Sequence, residues 1–203
     1  MTDRSLRKKD PEGVRNRILD AAAVLFVEHG YSATGLQLLF EQADVTSGAF
    51  YHHFGTKKDL GLAVIRERVA REVDDTWLAP VRSAPSTLQG ITAVFEKIAA
   101  DLKARRAVRG CPLNNLALEL AYGDPDFRCA LQEVFDQWTT VIAQSLREDS
   151  ASGLLPSSAN GAALSTYVVA IYSGAMTLCK VLQSTEPLIA CLSELRTALS
   201  AEH

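Results

Sequence analysis

The sequence predicts an all-α protein, in which an N-terminal three-helix helix-turn-helix domain is joined by a long helix to a C-terminal helical domain. Three observations carry this reading. Apolar residues recur at helical intervals in segment after segment, beginning with Ile18, Ala22, Leu25 and Phe26. Turn and capping residues interrupt that pattern at short intervals up to about residue 56, and at long intervals afterwards. No segment shows strand alternation or hairpin punctuation, and no repeat of fixed period is present.

The first helix is predicted from Pro11 to His29, with Gly30 as its stop. Thr34 followed by Gln37 reads as a capping box opening the second helix, LQLLFEQA. Asp44 tolerates the left-handed conformation and closes that helix, and a third short helix runs from Thr46 to Phe54. Gly55 breaks it. Thr56 with Asp59 then caps a long helix reaching Trp77, with Leu62, Ile65, Val69, Val73 and Trp77 as its apolar stripe. Pro80 and Pro85 bracket its end, and the chain divides into a helix-turn-helix domain over 1–55 and a connecting helix plus C-terminal domain over 56–203.

Beyond the prolines, Leu88, Ile91, Phe95, Ile98 and Leu102 form one helical face. The short helix PLNNLALELA follows, then a face of Phe127, Leu131, Val134, Phe135, Trp138 and Ile142. The segment EDSASGLLPSSANG (148–161) reads as a loop before a helix rich in small residues over 161–182 and a last helix bearing Leu188, Leu192, Leu195 and Leu199.

Composition excludes several classes. The chain has 203 residues, 47% hydrophobic and 22% charged, with a net charge of −3, which is ordinary for a globular protein and gives no basic domain. Residues 1–60 carry eight basic and eight acidic side chains, with local basic clusters in RSLRKKD and TKK. Four cysteines stand apart without CxxC spacing and no charged-then-apolar leader is present, which fits a reducing cytoplasm. The weakly polar run 161–180 is expected to be a buried helix rather than a membrane span, because serines, threonines and small residues run through it. There is no Walker loop, GxSxG, HExxH or dinucleotide-binding glycine fingerprint, so neither an enzyme nor a cofactor is expected. Adjacent His52 and His53 diverge by about 100° on a helix and cannot share a metal as an i, i+4 pair does.

The stretch TSGAFYHHFGTKKDL (46–60) carries the functional signal. Phe50 and Phe54 face a small core, which leaves Thr46, Ser47, Ala49, Tyr51 and His52 on a polar face that can enter a major groove. Gly48 and Ala49 let the backbone approach base edges, Ala49 suits a thymine methyl, and Ser47 can hydrogen-bond an edge. Together with RILDAAAVLFVEHGYSATG, the run ADVTSGAFYHHFGTKKDLGLAVI resembles the N-terminal DNA-binding domain of the tetracycline-repressor (TetR) family, over about a quarter of the chain. RGCPLNNLALELA resembles a segment in one branch of that family.

The resemblance implies phosphate contacts by Tyr51, His53 and Lys57, an anchoring role for Thr34, and base reading by Gln37, Thr46, Ser47 and Ala49. It further implies double-stranded operator DNA, a small-molecule effector and a homodimer. Phe95, Leu116, Phe135, Trp138, Tyr167, Tyr172 and Met176 are the candidate effector-pocket residues. Small residues on 161–182 and the leucine stripe of the last helix are the candidate dimer surface. Where the family often has lysine and threonine, the third helix here has Ser47 and Ala49. Two alternatives stay open: an oxidant- or electrophile-sensing regulator using Cys111, whose thiolate a helix start and Arg105, Arg106 and Arg109 would favour, and a helical ligand-binding protein that does not bind DNA.

Overall fold

The computed structural model of the chain describes residues 10–105, 107–155 and 160–200, with side chains through 197. The basic residues of RSLRKKD, Arg106, and the side chain of Leu199 lie outside the described residues.

Helix α1 (Pro11–His29) starts where the Asp10 carboxylate accepts the Gly13 N–H at 2.9 Å and proline occupies the first position. It buries Ile18, Leu19, Ala22, Leu25 and Phe26 and stops at Gly30, whose φ of +85° a side chain would disfavour. Helix α2 (Leu36–Ala43) has Gly35 at its N-cap and no capping side chain. The predicted capping box is therefore corrected. Thr34 lies one position too early, buried, and its hydroxyl donates back to the Gly30 carbonyl at 2.6 Å, while the Gln37 amide donates to Glu41 at 2.9 Å.

Asp44 takes the left-handed conformation (φ 50°, ψ 55°) and turns the chain into α3 (Ser47–His53). Thr46 caps α3 by accepting the Ala49 N–H at 3.2 Å. Thr56 and Asp59 pair reciprocally at the start of α4 (Lys57–Val64): the threonine oxygen accepts the Asp59 N–H at 3.0 Å and donates to its carboxylate at 2.8 Å.

The helix then runs further than expected. A wide π turn (Ile65–Val69) leads into α5 (Ala70–Val73), and a second π turn (Asp74–Leu78) leads into α6 (Ala79–Ser83). Pro80 is absorbed because it stands in the first turn of α6, directly after the i to i−5 bond from Ala79 to Asp74. Helical structure ends at Ala84, which is extended (ψ 153°) as a residue before proline prefers.

Two compact units result: Met1–Arg71 with Asn115–Leu131, and Glu72–Asn114 with Gln132–His203. Packing thus does not divide at residue 55. Leu60, Val64 and Ile65 lie past that point yet are buried within the first unit, where α4 packs on α1. The second unit contains α7 (Thr87–Ala104), most of α9 (Pro125–Ala151), α10 (Gly161–Leu182) and α11 (Glu186–Ser200); α8 (Pro112–Leu120) begins in it and ends in the first.

Helix α9 reaches Ala151, into the segment expected to be a loop, because the buried Asp149 carboxylate accepts the Thr87 N–H at 2.7 Å and anchors the two helix ends together. The second unit's core is aromatic: Trp77 lies 4.7 Å from Tyr172, 5.0 Å from Trp138 and 5.6 Å from Phe95, ring centre to ring centre. Helix α10 is long and apolar enough to cross a membrane, but Val168, Tyr172, Met176 and Cys179 turn inward on this core. Leu188, Leu192 and Leu195 are buried too, so the leucine stripe of α11 is intramolecular packing, and the helix exposes Ile189 instead.

Candidate nucleic-acid interface

Helix α3 is held from below by rings. Phe50 is fully buried, with Phe40 at 5.4 Å, Phe54 at 6.0 Å and Tyr51 at 5.2 Å between ring centres. With that face sealed, Thr46, Ser47, Gly48 and His52 are exposed, Tyr51 is 56% exposed, Ala49 and His53 are half-buried, and Gln37 is exposed on α2. Both ends of α3 are fixed, by the Thr46 cap and by the Phe54 N–H bonded to the Phe50 carbonyl at 2.9 Å. The helix therefore offers hydroxyl, phenol and imidazole groups on a rigid support.

Thr34 departs from the predicted set. It is 1% exposed with its hydroxyl spent on the Gly30 and Leu25 carbonyls, so its side chain sets the chain path and cannot reach a phosphate. His53 is held below the ordinary imidazole pKa by partial burial, the neighbouring His52 and the Arg15 guanidinium. It enters neutral solution as an uncharged imidazole with one N–H to donate. The two histidine rings stand nearly perpendicular, 5.0 Å apart, and among the described residues no three His, Cys, Asp or Glu side chains gather as a metal cage.

The two lysines of TKK have different surroundings. Lys57 is half-buried; its ammonium donates to the Ser32 carbonyl at 3.3 Å and sits 4.5 Å from the Tyr31 ring centre. Burial lowers its pKa, and the Glu119 charge opposes that. Lys58 is clamped at 2.7 Å by each of Asp124 and Asp126, which raise its pKa and cancel its charge toward phosphate. Arg15 is likewise paired with Glu67, and Arg68 with Asp20. Among the described residues of the first unit, Arg15, Lys58 and Arg68 thus each face a carboxylate of that unit.

Residue pattern did not foretell the partners of this loop. The Glu119 carboxylate accepts the Tyr31 N–H at 2.9 Å and the Ser32 N–H at 2.6 Å, and Phe127 meets the Tyr31 ring edge-on at 5.0 Å. Gly61 is required beneath them, since a Cβ there would stand 2.8 Å from the Tyr31 ring and 2.9 Å from Phe127. Glu119 lies in the quoted RGCPLNNLALELA segment, but nothing in spacing links it to residues 31 and 32.

In the second unit the surroundings of Cys111 go against the thiolate that the sensing alternative needs. Cys111 precedes α8, and backbone N–H groups of Asn114 and Leu113 do favour its charged form. Complete burial outweighs them and pushes the thiol up to about 11, so it stays protonated at neutral pH. The candidate effector residues are only partly brought together. Phe95, Trp138, Tyr172 and Met176 are buried in the second unit and Phe135 stacks on Trp138 at 6.4 Å, whereas Tyr167 is 43% exposed and Leu116 belongs to the first unit. A cleft of about 450 Å³ between α7 and α11, floored by Ala99, Leu188 and Leu192 and edged by Lys103, touches Phe95 alone of that set. Asn114 ties α8 to α10 by donating to Thr177 at 2.9 Å.

A short capped helix with an exposed polar face, set at a left-handed turn against a second helix, defines a helix-turn-helix DNA-binding protein. Comparison with known proteins agrees. Residues 18–64 match the family model described as bacterial regulatory proteins, tetR family, and residues 87–194 match that of the LmrA/YxaF-like transcriptional regulator C-terminal domain. The chain belongs to the TetR family of transcriptional regulators. It is 33% identical to the transcriptional regulator AcuR of Cereibacter sphaeroides, over 79% of this chain and 74% of that one. It is 24% identical to the transcriptional repressor DhaR of a Mycobacterium species, over 86% of each. A crystal structure of a TetR regulatory protein from Rhodobacter sphaeroides superposes with a TM-score of 0.79 at 28% identity, covering 89% of this chain and 95% of that one.

Proposed function

We propose that this DNA-binding regulator is a homodimeric, cytoplasmic repressor that holds a palindromic operator and releases it when a small apolar or amphipathic effector binds. The exposed polar face of α3 over its sealed aromatic core carries the reading. Thr46, Ser47, Ala49 and His52, with Gln37 from α2, address base edges, and Tyr51, His53 and Lys57 address phosphates. Two copies of α3 would enter successive major grooves, about 34 Å apart.

Support for the dimer comes from α10, where Tyr167, Gly174, Leu178 and Val181 are exposed along one side, and from Ile189 of α11. Support for the effector comes from the second unit's aromatic core. The Trp138 indole N–H is buried there without an acceptor, which an effector bearing a carbonyl or ether oxygen would supply. An effector that favours a dimer with misaligned α3 helices, by about 1–3 kcal/mol, lowers operator affinity roughly 5- to 150-fold.

Salt-dependent titration of operator DNA tests the contacts. Lys57→Ala is expected to weaken binding to all sequences and reduce the salt slope by about one, while Ser47→Ala shifts preference among operators. Equal slopes for wild type and Lys57→Ala would refute the phosphate role. Oxidant sensing through Cys111 is disfavoured by its burial and raised pKa.

A further inference from the structure

We infer that Glu119 is a positioning residue for DNA binding, acting on Lys57 through the Tyr31–Ser32 backbone. Its two carboxylate oxygens take the N–H groups of both residues, at 2.9 and 2.6 Å. Those same two residues hold the Lys57 ammonium: the Ser32 carbonyl accepts from it at 3.3 Å, and the Tyr31 ring lies 4.5 Å from it. Phe127 fixes the ring from its edge at 5.0 Å. Gly30 leaves the carboxylate room, since a Cβ there would stand 3.1 Å from it.

A lysine head on a four-carbon stem is ordinarily mobile, and ordering it on DNA binding costs affinity. One charge-assisted grip on the dipeptide sets the lysine's seat before DNA arrives. Burial raises the Glu119 pKa, but bonds from Ser32 and Tyr31 and the Lys57 charge outweigh it and keep the group an acceptor at neutral pH. A carboxylate repels phosphate, so the benefit of Glu119 lies in what it does to Lys57, through the seat it builds and the charge it sets beside the ammonium.

This inference rests on Lys57 binding phosphate, and a double-mutant cycle separates the two claims. Operator affinity is measured for wild type, Glu119→Gln, Lys57→Ala and the double variant, with thermal melts to confirm folding. Glu119→Gln is expected to weaken binding about tenfold, and to change nothing further once Lys57 is alanine. Additive losses, or an unaltered affinity for Glu119→Gln beside a weakened Lys57→Ala, overturn the positioning role alone. A Lys57→Ala variant that binds like wild type overturns the phosphate reading and this role with it. Amide hydrogen exchange gives a second readout: Tyr31 and Ser32 should exchange faster in Glu119→Gln but not in Lys57→Ala. Wild-type protection of both amides in Glu119→Gln overturns the grip itself.

Discussion

Gly30 and Asp44 both have positive φ, 85° and 50°, but their tolerance differs. Gly30 combines it with ψ 158°, a region closed to residues with a Cβ, whereas Asp44 sits in the ordinary left-handed well. Gly30→Ala should therefore cost about 1–3 kcal/mol in urea unfolding, and Asp44→Gly should be neutral or slightly stabilising. Cysteine reactivity gives a second prediction at this scale. A maleimide should label exposed Cys129 rapidly and leave buried Cys111 unlabelled until denaturant is added; comparable native rates, read by mass spectrometry, would restore the sensing alternative. Both turn residues could be read in the sequence because their conformational preferences are local. Thr34 could not: its hydroxyl partner is settled by how the loop folds back on α1, one residue away from where a cap would use it. The Cys111 alternative stayed open in the sequence for a related reason, since helix start and arginines are visible there and burial is not.

At the scale of helices, the run from α4 to α6 shows a signal that was present but read too coarsely. Gly61, Ile65, Val69, Val73, Trp77 and Val81 are all buried and recur at every fourth residue. A regular α-helix of 3.6 residues per turn would let such a row drift by about 40° per step, carrying it around the helix. The two π turns, each closed by an i to i−5 bond, hold more residues per turn and bring the row back. The period of four is thus the sequence form of this helix, and the ordinary helical reading placed its end at Trp77 instead of Ser83. Helix α10 was bounded correctly from its apolar run, yet which of its faces is outward follows only from packing. Its outward Leu178 is 52% exposed, so Leu178→Glu should convert the proposed dimer to monomer in sedimentation and weaken operator binding more than about tenfold. A variant that still sediments as a dimer would move the interface elsewhere.

For the whole molecule, the all-helical architecture and the helix-turn-helix were legible because each helix announces itself through local periodicity and caps. The partition into units was not, because Asn115–Leu131 joins the first unit through Glu119, Asp124, Asp126 and Phe127, each in contact with a residue more than fifty positions earlier. A fragment of residues 1–71 should accordingly melt broadly or remain unfolded by circular dichroism, having lost the partners of Tyr31, Ser32 and Lys58. A sharp transition equal to that of the intact chain would show those ties to be dispensable. Anyone building chimeras to redirect operator choice would then have to graft two stretches together. A cut after Arg71 alone would marry a foreign reading head to carboxylates that evolved to seat a different lysine pair.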